Sequence, residues 1–216
     1  MNADELLRQH TTPRPVPLVP EIRVHTANEI TPVWRDVEEV PYWCVPWAGG
    51  QALARWLLDH PEAVRDKRVL DFGSGSGLVA IAAARAGAAH VIAADVDPFA
   101  RTAGEANAAL AGVTIAFVTR DLVGEALADV DVVLAGDVWY EREPAARFDA
   151  WLRTLSARVI TGDPGRSYVP ADLVELARYE VPTTLDLEGA TSKTTRVLAW
   201  PGGEGAVPRG GAPLRR

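Results

Sequence analysis

Residues 69–77 read VLDFGSGSG and run straight into the small, apolar LVAIAAARAG. An apolar strand ending in an acid, then glycines at Gly73, Gly75 and Gly77, then a helix, is the turn by which α/β proteins bring backbone close to a nucleotide-like ligand. Glycine serves there because a side chain would block the approach and because positive φ must be accessible. A tight strand-to-helix turn without a ligand has the same pattern, so the segments that follow decide its meaning.

The next apolar run, HVIAADVDP, ends in Asp95, which lies 18 residues after Gly77, the length of one βαβ unit. A carboxylate at that strand end can accept hydrogen bonds from both ribose hydroxyls of an adenosine. Asp97, by contrast, reads as a turn residue ahead of Pro98, which opens a helix. A third strand, TIAFVT, closes with Asp121 and Leu122, from where an acceptor can reach the exocyclic amine of adenine. The fourth, DVVLAGD, closes with Asp137. Four successive strands therefore carry Asp71, Asp95, Asp121 and Asp137 along the edge where open α/β sheets bind ligands. An adenosyl sulfonium and a dinucleotide could both lie there. The spacing GxGxG instead of GxGxxG, and the crowd of acids, favour the cationic, phosphate-free ligand.

Together with GDVWYE at Gly136 to Glu141, these motifs resemble a class I, seven-strand S-adenosylmethionine-dependent methyltransferase. More narrowly, the chain resembles the electron-transfer flavoprotein β-subunit lysine methyltransferases. The resemblance runs from Glu21 to Trp200 and is carried by PYWCVPWAGGQALARWLLDHP, RVLDFGSGSGLVAIAAARAGA, ADVDPFA, AGDVWYE, and GDPGR at Gly162 to Arg166. Phe72 stands where the family usually has leucine, and Ala94 where asparagine is expected.

The resemblance implies an α/β fold: a single-domain, Rossmann-like seven-stranded sheet, mostly parallel with an antiparallel C-terminal end. It implies S-adenosyl-L-methionine as cofactor, held by Trp47, Asp71, Gly73, Ser74, Gly75, Gly77, Asp95, Asp121 and Leu122, with the Trp47 indole stacking on or covering the adenosyl group. It places Asp163 and Arg166 at the substrate entrance, although Asp163-Pro164-Gly165 is also a good turn in its own right; Trp139, between Asp137 and Tyr140, either packs against the sheet or borders the substrate channel. The substrate it implies is a protein lysine, on the β-subunit of electron-transfer flavoprotein. Two other functions stay open: N-methylation of a small amine or nicotinamide-type nitrogen, and a non-catalytic cofactor-binding module, which the retained acids Asp137 and Glu141 disfavour.

Methyl transfer from a sulfonium is an in-line displacement, so a protein mainly positions the amine and arranges charge. With a reference pKa near 10.4, roughly one lysine amine in 2,500 is neutral at pH 7. Positive charge builds on nitrogen as the transition state forms, and a nearby carboxylate gains strength as it does. Asp137 and Glu141 are assigned to orient the amine and stabilise that charge, and Tyr140 to shape the amine site. Glu141 also reads as an acid favoured by a helix N-terminus.

At 216 residues and 48% hydrophobic content, one globular domain is the economical count. A net charge of −7 and only two lysines, Lys67 and Lys193, argue against a nucleic-acid partner and suit a cationic substrate. There is no apolar run long enough for a membrane span, and the N-terminus carries Asp4 and Glu5 with no signal-like apolar stretch, so a cytoplasmic location without membrane contact is expected. The sole cysteine, Cys44, reads as a buried thiol, and the four scattered histidines make no metal cluster.

Along the chain, residues 1–20, with Pro13, Pro15, Pro17 and Pro20, read as a flexible lead-in, 21–200 as the methyltransferase domain, and 201–216 as a disordered tail. Glu21 to Val40 reads as short extended pieces over the sheet edge or substrate mouth. Helices are expected from about Gly49 to His60, Leu78 to Ala86, Pro98 to Leu110, Glu143 to Leu155 and Pro170 to Tyr179. RVITGD is the fifth strand, and closing strands are expected near Glu180 to Leu187 and Thr194 to Trp200.

Overall fold

The computed structural model describes residues 3–27, 29–36 and 40–201. Its centre is a seven-stranded sheet in the order β5 (Ala116–Thr119), β4 (His90–Asp95), β3 (Arg68–Phe72), β6 (Val132–Gly136), β7 (Arg158–Asp163), β9 (Ser192–Ala199), β8 (Val174–Pro182). The first five are mutually parallel, while β9 runs antiparallel to both β7 and β8. The chain winds outward from β3 through β4 to β5, then returns to lay β6 on the other side of β3. Such a reversal opens a crevice at the carboxyl ends of the two central strands.

The central strands read as unbroken apolar runs because both of their faces are covered. Alternation sorts their side chains: Val69, Val132 and Leu134 join one core with the helices α3 (Ala48–Asp59) and α4 (Leu78–Arg85). Leu70, Phe72, Val133 and Ala135 join the other, with Trp151 and Leu152 of α6 (Arg142–Leu152). Each fully buried aliphatic contributes about 1.5–3 kcal/mol relative to exposure, so the two-sided cover holds the strand ends rigidly. Pro98 begins α5 (Pro98–Ala111), and the Asp97 carboxylate caps it by accepting the Phe99 N–H at 2.7 Å. That is the turn role expected for Asp97.

The amino-terminal segment departs from the flexible lead-in that its prolines suggested. Residues Ala3–His10 form α1, and β1 (Thr11–Val16) pairs antiparallel with β2 (Val19–Ala27) in a separate two-stranded sheet. Pro13 and Pro15 are tolerated because a two-stranded ribbon leaves one edge of each strand unpaired, while Leu6, Leu7, Val16, Val19, Ile22 and Val24 are buried. Burial of these residues outweighs the local proline bias. The hairpin is also tied down by Asn107, itself fully buried, whose Oδ1 accepts the His25 N–H at 2.7 Å while its Nδ2 donates to the Ser76 carbonyl at 2.8 Å. The hairpin thus lies over α4 and α5 and is linked to the glycine loop. Within the expected extended stretch from Glu21 to Val40, β2 is extended but Ile30–Asp36 is helical (α2).

The helix expected over Pro170 to Tyr179 is also corrected, since Val174–Pro182 is the edge strand β8. Its residues, VELARYEVP, favour helix locally, but pairing with β9 and packing of Leu176, Ala177 and Tyr179 onto the core override that preference. The closing strand expected near Glu180 to Leu187 therefore starts earlier, and the single-turn helix α7 (Leu185–Glu188) occupies the connection to β9. Beyond Pro201, the tail expected to be disordered lies outside the described residues.

Candidate active site

A cleft of about 590 Å³ opens at the carboxyl ends of β3, β4 and β6 and is walled by the segment before α3. Small-molecule sites typically enclose about 300–1,000 Å³. At one end lies the glycine loop. Gly73, Gly75 and Gly77 all have positive φ, at 66°, 48° and 75°. The Gly73 and Ser74 N–H groups donate to the Ala94 carbonyl, which stitches the loop to the end of β4. Gly75 and Asp95 face each other directly: the Gly75 N–H donates to Asp95 Oδ2 at 2.8 Å, and the Asp97 N–H to Oδ1 at 3.0 Å. Burial raises the Asp95 pKa, and these backbone donors oppose that rise.

Asp71 sits deeper, 1% exposed, and accepts the Ala80 N–H at 2.9 Å in the first turn of α4. Burial, followed by the nearby Asp95 charge, pushes its pKa up to about 8. Asp71 therefore ties strand to helix beneath the loop while its backbone neighbours line the cleft.

Gly77 does not line the cleft. Its missing side chain lets α4 approach α5, where a Cβ would stand 3.3 Å from the Gly104 Cα. Leu122 is also outside: it is buried in the core under α6. Asp121 does reach the cleft edge, but it is largely exposed, accepts the Val123 N–H and pairs with Arg147 at 2.9 Å. Trp47 stands at the start of α3, where its Nε1 donates to the Tyr42 carbonyl at 2.8 Å and its ring meets Tyr42 edge-on at 5.9 Å. Trp47, Tyr42 and Tyr140 form an aromatic wall, with Tyr42 and Tyr140 5.0 Å apart.

The other end of the cleft is built around Asp137. This residue follows β6 with φ at +64°, a conformation that a side chain other than glycine takes at a cost of about 1–3 kcal/mol. The surroundings hold it there. Its N–H donates to the Gly162 carbonyl, Gly49 N–H donates to its Oδ2 at 3.1 Å, and Arg166 grips both oxygens, Nε to Oδ1 at 2.7 Å and Nη2 to Oδ2 at 3.1 Å. Burial raises the Asp137 pKa, and Arg166 opposes it. Tyr140 beside it is shifted upward by burial and by neighbouring acids. Glu141 is exposed on the cleft wall at the N-cap position of α6, but its side chain makes no capping hydrogen bond.

Of the remaining entrance residues, Trp139 and Asp163 take the packing and turn alternatives left open to them. Trp139 is fully buried, donates to Thr161 Oγ1 at 2.8 Å and packs against Trp200, so it belongs to the core. Asp163 is fully buried too. Its carboxylate accepts the Gly165 and Arg166 N–H groups and faces Arg196 at 3.3 Å, folding the turn that delivers Arg166. Arg166 lines the cleft as the partner of Asp137, not as an exposed rim cation.

Two features escape the motif reading. The first is glycine packing: a Cβ on Gly49 would lie 2.4 Å from the Gly162 carbonyl oxygen, one on Gly162 would lie 2.0 Å from the Gly49 oxygen, and one on Gly136 would lie 2.9 Å from the Gly50 Cα. Only glycines let the first turn of α3 rest on the ends of β6 and β7, and the GG doublet before an amphipathic run is their one trace in the sequence. The second is Glu188. Its side chain is turned inward, and its carboxylate meets Arg166 at 3.4 Å, Lys193 at 2.8 Å and the Ala48 N–H at 3.4 Å. Nothing in VPTTLDLEGA signals it.

Among the described residues no helix is long and apolar enough to cross a membrane, and no cluster of potential metal ligands is found. Cys44 is buried with its thiol pushed up to about 12 by burial.

The ribosomal protein L11 methyltransferase family profile matches residues 54–136, from α3 through β6. The chain is 38% identical over 188 residues to the electron transfer flavoprotein beta subunit lysine methyltransferase of Xenopus laevis, covering 80% of this chain and 76% of that one. It is 36% identical over 192 residues to the Rattus norvegicus protein of the same name, covering 81% and 75%. Among solved structures, magnesium protoporphyrin IX methyltransferase from Synechocystis PCC 6803 with bound SAM superposes with a TM-score of 0.52 at 17% identity, covering 70% of this chain and 77% of that one. That likeness is one of fold, and it matches the seven-stranded architecture described above. With more than a third of residues identical over three quarters or more of both chains, the protein belongs to the electron transfer flavoprotein beta subunit lysine methyltransferase family.

Proposed function

We propose that the protein transfers a methyl group from S-adenosylmethionine to a lysine side chain on the β-subunit of electron-transfer flavoprotein. The observation that carries this reading is one cleft with two chemically different ends, in a chain whose close relatives bear that activity in their names. The glycine loop and Asp95 fit an adenosyl group: positive-φ glycines leave the backbone open, with only Trp43 near a notional Gly75 Cβ, at 3.8 Å, and a half-buried carboxylate stands beside them. When bound, S-adenosylmethionine supplies an electrophilic methyl on a cationic sulfur.

In this reading Asp95 and the 73–75 backbone hold the adenosyl moiety, Trp47 covers it and Asp121 borders its outer edge. Asp137 orients the acceptor nitrogen, Tyr140 and Tyr42 wall the lysine stem, and Glu141 adds negative charge at the mouth. Asp137 serves as a fixed charge, since the paired Arg166 guanidinium opposes its protonation, and Oδ1, with one donor, keeps acceptor capacity for the amine. The lysine proton leaves to water before transfer, against a reference pKa near 10.4. A protein substrate in place of a nucleic acid accords with the net charge of −7, and the single buried, unreactive thiol accords with a reducing, cytoplasmic setting.

Incubation with labelled S-adenosylmethionine and, in parallel, flavoprotein β-subunit or nicotinamide tests the proposal. Label is expected on the flavoprotein. Efficient nicotinamide methylation with an unlabelled flavoprotein would instead support the small-molecule reading.

A further inference from the structure

We propose that Glu188 is a positioning residue for methyl transfer, acting through Arg166 and the start of α3 to hold Asp137 at the acceptor end. This rests on the assignment of Asp137 to that end.

Two carboxylates, Asp137 and Glu188, share the same partners. Arg166 Nη2 lies 3.1 Å from Asp137 Oδ2 and 3.4 Å from Glu188 Oε2. Adjacent N–H groups at the start of α3 divide between them, Ala48 donating to Glu188 Oε1 and Gly49 to Asp137 Oδ2. Arg166 thereby sits between two acids, and neither its guanidinium nor the α3 terminus can shift without disturbing both. Lys193, 2.8 Å from Glu188 Oε2, balances the second acid, and Asp163 with Arg196 fixes the turn that carries Arg166.

At the two ends of α7 the polar side chain is turned inward and the apolar one outward. In α7 the glutamate side chain is 4% exposed whereas Leu185 is 64% exposed. The turn ends at Gly189 with φ at +69°, and the Thr183 N–H bonds to the Thr191 carbonyl beneath it. β8 and β9 could be joined by a much shorter hairpin loop. The excursion instead returns a carboxylate behind Arg166, at a buried location where an acid is retained only when it is paired.

A double-mutant cycle tests this, with kcat and KM measured on flavoprotein β-subunit and cofactor affinity measured by calorimetry. Glu188→Gln keeps the shape and removes the charge. It is expected to lower kcat about tenfold, leave cofactor affinity within about twofold, and add little in an Asp137→Asn background, since residues in one network couple instead of adding. Glu188→Asp retains the charge with shorter reach and is expected to give a smaller loss, about threefold; it takes the place of Glu188→Gln in the cycle should that variant fail to fold. Full kcat in the folded Glu188 variants, or a loss as large in Asp137→Asn as in the wild type, overturns the proposal while leaving the Asp137 assignment standing. Full turnover in Asp137→Asn itself overturns both.

Discussion

The two ends of the cleft are built by different means. The glycine-loop end is almost contiguous, residues 71–97, and is made of backbone, glycines and two acids that accept main-chain N–H groups. The Asp137 end draws its parts from α3, β6, the turn after β7, and α7, and joins them by ion pairs and glycine-to-glycine contact. A site that must cradle one fixed ligand can be written into one βαβ unit. A site that must set a charge against an incoming side chain is assembled from distant segments, so its geometry depends on the whole sheet edge.

That contrast breaks most severely at the glycines. Gly162→Ala puts a Cβ 2.0 Å from a backbone oxygen and is expected to destabilise the protein by about 3 kcal/mol, lowering its thermal midpoint by about 6–12 °C. Gly75→Ala meets nothing closer than 3.8 Å and carries only its φ penalty, about 1–2 kcal/mol. Equal melting losses would erase the distinction between the ends.

At the cofactor end Asp95→Ala removes a charged acceptor, worth about 1.5–3 kcal/mol. Calorimetry should show S-adenosylmethionine binding weakened about tenfold or more, and unchanged binding would refute the role. Asp71→Asn probes the layer beneath. The Asp71 pKa rises from 3.8 to about 8 on folding, so the folded state holds the extra proton and stability falls as pH rises between those values. Asparagine cannot ionise but can still accept the Ala80 N–H, so the thermal midpoint of the variant should lose that part of the downward pH slope; identical slopes would show that Asp71 does not titrate there. The smallest effect is expected for Asp121→Ala. Its pairing with Arg147 is exposed and worth about 0.2–1 kcal/mol, so cofactor affinity should change less than fivefold by calorimetry.

The same division governs what is legible in the sequence. Periodicity and glycine spacing led to the sheet, to Asp95 and to Asp137 at strand ends, because those signals are local. Leu122 turns into the core, Trp139 takes the sheet-packing alternative and Asp163 the turn alternative, because sequence position after a strand does not say which way a side chain turns. The amino-terminal helix and β1, and the early start of β8, depart from the sequence expectation where burial against distant elements overrides proline content and helix preference. Glu188 left no trace, since its importance arises only when α7 folds back behind a residue 22 positions earlier.

The division of labour is tested most directly by single-turnover methyl transfer in Asp137→Asn, loaded with labelled S-adenosylmethionine and mixed with flavoprotein β-subunit. The charge of Asp137 is assigned to the reacting nitrogen, so transfer should slow about 10²-fold, the range lost with one electrostatic contact, while the cofactor stays bound within a few-fold of wild-type affinity. Full-rate transfer, or a loss fully explained by weakened cofactor binding, would contradict the account.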